Sequence, residues 1–552
     1  MFGLPEITLD QIKTWLVYDP ENPLLFGSGL FLIIFLIFYL VYILTRKHVW
    51  FRSVYVILFS LFFYYKAGGM FWFLLLIVSV TDYHIAKMLH RSKKDSIRKL
   101  WLFTSVLINL GLLAHFKYTN FLFDSLNDLF SSNFAIQDII LPIGISFFVF
   151  ETMSYTIDIY RREIEPARNF MDFAFFVCFF PKFVAGPIVR AKDFLPQINQ
   201  KLTLTKIQAS SALFLIIGGL IKKSVISDYI SINFVDRVFD APNSYTSIEN
   251  LLAVYGYSLQ IYCDFSGYSD IAIGLALLMG FELNANFRTP YQSANITEFW
   301  HRWHISLSTW LRDYLYISIG GNRRSSFWGY LFPALFFGGL IGWSAFKFES
   351  HPLPLYLSLA GLLIFLLPIL LSKNRKKASY VNFNQMTTML LGGLWHGASF
   401  RFVIWGALHG LALGVHKTFK EYISKKTDGK RTVSGFLSRL AGVFITFQFV
   451  SFCWIFFRSK DFDTSIQMVQ NIAGLDFNFD NWLTVILSYR HVFLIFLIGY
   501  IWHFIPEQLL LKMKLIFNSC PIAVKSILVA AVFWLIYATA SSEVQPFIYF
   551  QF

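Results

Sequence analysis

Apolar runs about as long as a bilayer core is thick recur from one end of this chain to the other. Stretches such as FLIIFLIFYLVYIL and YLSLAGLLIFLLPILL carry no charge, and roughly 20 such residues carry a helix across the hydrocarbon region. No water is available there, so a spanning backbone must close its hydrogen bonds within helices or in a sealed barrel. A barrel needs apolar and polar residues in alternation, and these runs are unbroken. The chain therefore reads as an all-α polytopic membrane protein. Its 552 residues are 56% hydrophobic and only 14% charged, against about 25% charged in a soluble domain, and the mean hydropathy is +0.54.

Spans are expected over residues 27–44, 100–116, 141–160, 170–183, 213–225, 386–415, 443–457, 492–505 and 527–537. Residues 54–80 are broken by KAGG at 66–69, which predicts two short helices, and residues 213–225 and 253–279 are interrupted by polar residues. Residues 330–346 and 355–371 form a hairpin pattern. Short and re-entrant pieces included, about 11–14 membrane helices are expected. Between residues 141 and 325 the runs are short, and polar residues, Gly and Pro intrude. Such backbone survives at membrane depth only when buried in protein or lining water, so a cavity is expected there. No internal repeat supports an inverted-repeat transporter. The whole chain, 1–552, reads as one membrane-embedded domain. Residues 23–140 supply N-terminal helices, 141–326 and 386–420 the core, 327–385 an inserted hairpin with a basic loop, and 435–552 the C-terminal helices.

Net charge is +14, concentrated in short clusters: Arg46 and Lys47, residues 90–99, Arg161 and Arg162, Arg323 and Arg324, residues 373–377, and residues 425–431. The positive-inside rule places these loops in the cytoplasm, where they would also attract a polyanion. No basic domain stands apart from the spans, so no nucleic-acid partner is expected. The four cysteines sit singly, so neither a zinc site nor a disulfide framework is indicated. Cys178 reads as a small core hydrophobe. The first 22 residues carry acids and Pro5 where a cleavable leader needs a basic start and an apolar core. Ile7, Ile12, Trp15 and Leu16 suit a short interfacial helix instead.

Polar groups at membrane depth are costly, and they usually face a cavity, a partner or a reaction. His396 lies within LLGGLWHGASFRFVIWGALHG, where the glycines permit close helix packing or close substrate approach. His409, 13 residues on, falls on another face of a continuous helix and reads as packing. In EFWHRWHISLSTWLRDYLYISIGGNRR, helical spacing puts His301, His304 and Ser308 on one face. There Arg302, Arg312 and Asp313 are candidates to pair with Glu298 or to bind phosphate. No carboxylate or thiol with ligand spacing accompanies the histidines, so no metal is expected. Asp264 and Asp270, in YCDFSGYSDIAIG, require hydrogen bonding or a polar tunnel. In residues 179–198 Pro181, Gly186 and Pro187 break helix and suggest a re-entrant segment, with Lys182 and Arg190 facing an interface or a donor phosphate. His90 and Asp95 match the HxxxxD spacing of soluble glycerolipid acyltransferases by chance, because that fold's other motifs are missing.

Taken together and in order, LPIGISFFVFETMSYTIDIYRRE, VAGPIVR, the Asp264 and His304 blocks, LLGGLWHGASF and the ending PFIYFQF resemble the membrane-bound O-acyltransferase (MBOAT) superfamily. The branch resembled is that of bacterial alginate, polysaccharide and peptidoglycan O-acetylation proteins. The resemblance implies a ring of tilted helices around a funnel or tunnel, His396 as catalytic histidine and His304 as its polar partner. It carries no role to His301. Trp395, Ser308, Asp264, Asp270, Glu298, Arg302, Arg312, Asp313 and Asn322 become tunnel-lining candidates, and Lys182 and Arg190 candidates for the donor's phosphates. Residues 327–385 depart from the pattern, either as a docking surface or as peripheral packing. The implied reaction moves an acetyl group from a cytoplasmic thioester, acetyl-CoA or another, toward a cell-surface glycan, with no bound cofactor. His396 would act as a general base or as a transient acyl-histidine. An extracytoplasmic acetyltransferase-like partner and a place in the bacterial cytoplasmic (inner) membrane are implied as well. The alternatives are D-alanyl transfer to teichoic acid, long-chain acylation of lipid or protein, and polysaccharide or lipid transport without chemistry.

Overall fold

The computed structural model describes residue 13 and residues 15–183, 186–346, 352–422, 433–474 and 479–539. Among these residues the regular structure is entirely helical. Eight helices are long and apolar enough to cross a membrane, or nine if the pair bent by 90° at Asp480–Ser488 and Arg490–Phe504 is one span. The larger expected number included shorter helices such as Ile145–Arg161 and Phe170–Cys178. Ile7, Ile12, the basic stretch 425–431 and the ending PFIYFQF lie outside the described residues.

The chain gathers into two compact units, each discontinuous in sequence. One comprises Met1–Tyr229, Ile261–Ala285 and Ile505–Gln551, the other Ile230–Gln260, Asn286–Phe504 and Phe552.

In the first unit the break at KAGG is real, but its two helices are longer than expected, Val49–Gly68 and Trp72–Arg91. Gly69 turns between them at φ +65°, and a Cβ there would come within 2.9 Å of the Tyr18 ring. Asp82 accepts hydrogen bonds from Ser105 Oγ (2.6 Å) and Asn109 Nδ2 (2.8 Å), and Thr152 Oγ1 donates to Asn109 Oδ1 (2.8 Å). Three helices are thereby joined through polar groups that bilayer lipid could not satisfy. His90 lies against Glu165 (3.3 Å) and Asp95 pairs with Lys99 (2.8 Å), so the HxxxxD spacing assembles no site.

The expected interruption at residues 253–279 does not occur. Ser247–Leu278 is a single 32-residue helix. Its carboxylates are met from the side by lysines of the GGLIKKS stretch: Lys223 holds Asp264 (2.6 Å) and Lys222 holds Asp270 (2.7 Å), while Lys223 also pairs with Asp228 five residues along its own segment (2.7 Å). Close approach makes this possible, since a Cβ on Gly219 would lie 2.5 Å from the Gly267 carbonyl oxygen. Lys182 is fully buried in an ion pair with Glu151 (2.5 Å), which also accepts from the Val189 N–H (2.9 Å). It is an internal strut rather than an open phosphate-binding cation. Arg190 is half-buried at the start of the helix Ala191–Ile198.

In the second unit the inserted helices Phe327–Phe346 and Leu353–Leu371 pack on the helices that follow. Phe337 and Phe365 form a core with Met386, Leu390 and Ala407, while Leu335, Trp343, Leu357 and Leu363 face outward. The basic stretch 373–377 is only partly a loop. Arg375 opens the helix Arg375–His396, whose N-cap Asn374 accepts from the Lys377 N–H (3.0 Å).

Removing one member of a buried ion pair strands the other charge at a cost of about 3–5 kcal/mol. Lys182→Met should therefore lower thermal stability in detergent by that order. Adding Glu151→Gln should recover most of the loss, and failure to recover would show that the lysine acts by packing alone.

Candidate active site

The site is built in the second unit from a broken helix and a helical hairpin. Asn295 caps the helix Ile296–Arg302 by accepting from the Glu298 N–H (2.9 Å). Glu298 in turn accepts from the Ala294 N–H (3.0 Å) and pairs with Arg302 (2.9 Å) and Arg439 (3.3 Å). Burial alone would raise this carboxyl, but the Ala294 N–H and the two guanidiniums outweigh it and hold it below its ordinary range.

The helix then stops. Trp303 is extended and His304 is left-handed, φ 42° and ψ 54°, before a new helix starts at Ile305–Trp310. The face expected to carry His301, His304 and Ser308 therefore does not exist. His301 is exposed, His304 is fully buried and Ser308 is half-buried. A left-handed non-glycine residue costs on the order of 1–3 kcal/mol and persists only when its surroundings impose it. Asn286 imposes it here. Its carbonyl accepts from the Ile305 N–H (2.9 Å), and its side-chain Oδ1 accepts from the Ser306 N–H (3.1 Å) and Oγ–H (2.9 Å) and lies 3.3 Å from His304 Nδ1.

His396 is likewise not in mid-helix. It ends the helix Arg375–His396, Gly397 is extended, and Phe400–Tyr422 returns alongside. The glycines serve this return. A Cβ on Gly393 would fall 2.1 Å from the Phe402 carbonyl oxygen, and one on Gly406 2.2 Å from that of Met389. At Gly397 a Cβ would meet the Phe402 ring at 2.0 Å. His396 is thereby laid against Trp405 (5.0 Å between ring centroids, 82°) and Phe457 (5.2 Å, 70°). Trp395 stands 6.1 Å from the His304 ring and 5.0 Å from that of His396, so it links these two histidines, both buried. Trp303, Trp405 and Trp454 complete an enclosed aromatic wall.

The hairpin also corrects the helical phase read from sequence. His396 and His409 do not lie on one helix, and both contact Trp405, His409 at 4.7 Å. Arg312 and Asp313 pair with each other (2.6 Å), and Tyr316 donates to Asn322 Oδ1 (2.8 Å). Asp264, Asp270, Lys182 and Arg190 belong to the other unit. Sequence reasoning missed Asn286, Trp405 and Phe457. Reading Gly397–Ser399 as a turn would have brought Trp405 opposite His396; nothing local marks Asn286.

Two enclosed imidazoles joined by an indole suit proton transfer, because a neutral imidazole carries one nitrogen that donates and one that accepts a proton. Comparison with known proteins identifies the class of reaction. The MBOAT, membrane-bound O-acyltransferase family, matches residues 57–337. A probable alginate O-acetylase of Pseudomonas aeruginosa is 36% identical over 83% of this chain and 76% of its own length. The chain belongs to the MBOAT family. A peptidoglycan O-acetyltransferase of Helicobacter pylori is 32% identical over 82% of the chain and 80% of its own length. A teichoic acid D-alanyltransferase of Bacillus subtilis is 26% identical over 59% of the chain and 71% of its own length. This MBOAT protein is a multi-pass membrane acyltransferase of the O-acetylation branch.

Forced overpacking costs about 1–3 kcal/mol. Gly393→Ala and Gly406→Ala should each lower the thermal midpoint accordingly and reduce acyl transfer. Gly338→Ala and Gly342→Ala, where a Cβ meets nothing within 4 Å, should change stability by less than about 1 kcal/mol. Equal tolerance at all four positions would remove the glycine contact as the support of the site.

Proposed function

We propose that this protein transfers an acetyl group from a cytoplasmic thioester, acetyl-CoA or another, for O-acetylation of a cell-surface polysaccharide. It works in the bacterial cytoplasmic membrane with an extracytoplasmic acetyltransferase-like partner that completes transfer to the glycan. The observation that carries this reading is the pair of buried histidines bracketing Trp395, one of them held in a left-handed backbone. Strain of that kind gathers where a side chain must be aimed. The alginate and peptidoglycan O-acetylation activities named for the relatives support the substrate class.

His396 acts as general base. Its neutral imidazole takes the proton of an acceptor hydroxyl as the oxygen attacks the thioester carbonyl carbon. The C–O bond forms, the C–S bond breaks, and the imidazolium returns its proton to the departing thiolate. Base catalysis of this kind is worth about 10²–10⁴-fold. His304, oriented by Asn286, supports the reacting groups from across Trp395. The enclosing aromatic rings exclude water that would hydrolyse the thioester.

Ester-linked acetate on surface glycans should disappear in a deletion strain and fall by that factor in His396→Ala expressed at the parental level. Retained acetate in a folded His396→Ala protein would sink the assignment. Loss of ester-linked alanine or of labelled lipid instead would move the substrate to D-alanyl or long-chain acyl transfer.

A further inference from the structure

One aromatic side chain beyond His396 lies a second group of buried polar atoms. His409 is fully buried, its ring set among Trp405 (4.7 Å between centroids), Trp300 (5.2 Å), Phe449 (5.7 Å) and Phe299 (6.0 Å). Trp300 and Trp405 are 5.8 Å apart. Among the described residues, Nδ1 and Nε2 of His409 and Nε1 of Trp300 and of Trp405 have no hydrogen-bond partner. Leaving one buried polar atom unsatisfied costs about 1–3 kcal/mol. Four such atoms on three touching side chains are not a packing accident. Protein interiors resolve such groups with ordered water, which makes about three hydrogen bonds. One water oxygen would meet three of the four, accepting from both indole N–H groups and donating to the unprotonated nitrogen of the imidazole.

We propose that His409, Trp300 and Trp405 enclose a site for one oxygen ligand, a water molecule in the resting protein, which fixes the Trp405 indole against His396. The proposal rests on His396 as the base. His409 is then a positioning residue: it touches no substrate and acts through Trp405, which lies 5.0 Å from the His396 ring. Displacing a reacting group by about 1 Å can cost 10²-fold in rate, so a loosened indole is felt in turnover more than in donor binding.

The test uses membranes from cells expressing the full chain, labelled acetyl-CoA, and base-labile label in polymer as the readout. His409→Phe fills the space but offers no polar atom. It should lower kcat at least about tenfold, change KM for acetyl-CoA less than about twofold, and leave thermal stability at or above the parent. His409→Gln, whose amide supplies a donor and an acceptor, should recover most of that loss. Trp300→Phe removes one donor to the same water, so combining it with His409→Phe should lose less than the two single losses combined. Parental kcat in His409→Phe, equal inactivity of His409→Gln and His409→Phe, or strictly additive losses would each overturn the proposal. The two failures are distinguishable. Full activity in His396→Ala refutes the base and with it the positioning role of His409, whereas an inactive His396→Ala beside a fully active His409→Phe refutes the water site alone.

Discussion

Two glycines in backbone contact hold the candidate site together. Gly393 and Gly406 face each other so closely that a single added carbon on either would collide with a carbonyl oxygen of the opposite helix. Close approach brings short side chains and backbones into dispersion contact along the seam, a packing mode suited to lipid, where water does not drive helices together. It also sets the register. With the seam fixed, the end of one helix must lie beside the first turns of the next, and His396 meets Trp405. Placement of the candidate histidine and helix packing are here the same contact.

The second constraint is the cost of polar groups away from water. The structure meets it in two ways. In one unit, lysines and carboxylates neutralise one another: Lys182 with Glu151, Lys223 with Asp264 and Asp228, Lys222 with Asp270. In the other, histidines are enclosed by indole and phenyl rings. Paired ions stabilise a fold but are poorly placed for proton transfer, because moving the proton would strand the partner charge. Imidazole among aromatic rings carries no such penalty in its neutral form. The two units thus hold paired charges as struts in one and ring-enclosed histidines in the other.

The family was legible in the ordered motifs, and the general architecture in the apolar runs. Less legible were the two helix breaks that make the site. Between Trp303 and His304 there is neither glycine nor proline, so helical spacing reasonably continued a face from His301 to Ser308. The break is imposed by Asn286, 18 residues upstream, through its side chain and its carbonyl. At Gly397 a local signal was present, but hydropathy ran unchanged across it and hid the turn. The same blindness treated His396 and His409 as points on one cylinder, when they face one indole from neighbouring elements. Lys222 and Lys223 were passed over because sequence shows a charge without showing what it meets.

The sequence by itself determined the solvent, the helical class, the family and the residue types able to do chemistry. Each of these is a sum over neighbouring residues or an ordered set of motifs, and needs no knowledge of what folds against what. The tertiary structure alone decided which polar residues are struts, where the helices stop, and which indole stands beside which histidine. Those outcomes depend on partners far apart in the chain. In a solvent that satisfies no polar group, the energy of each residue is fixed by the partner it finds rather than by its neighbours in sequence.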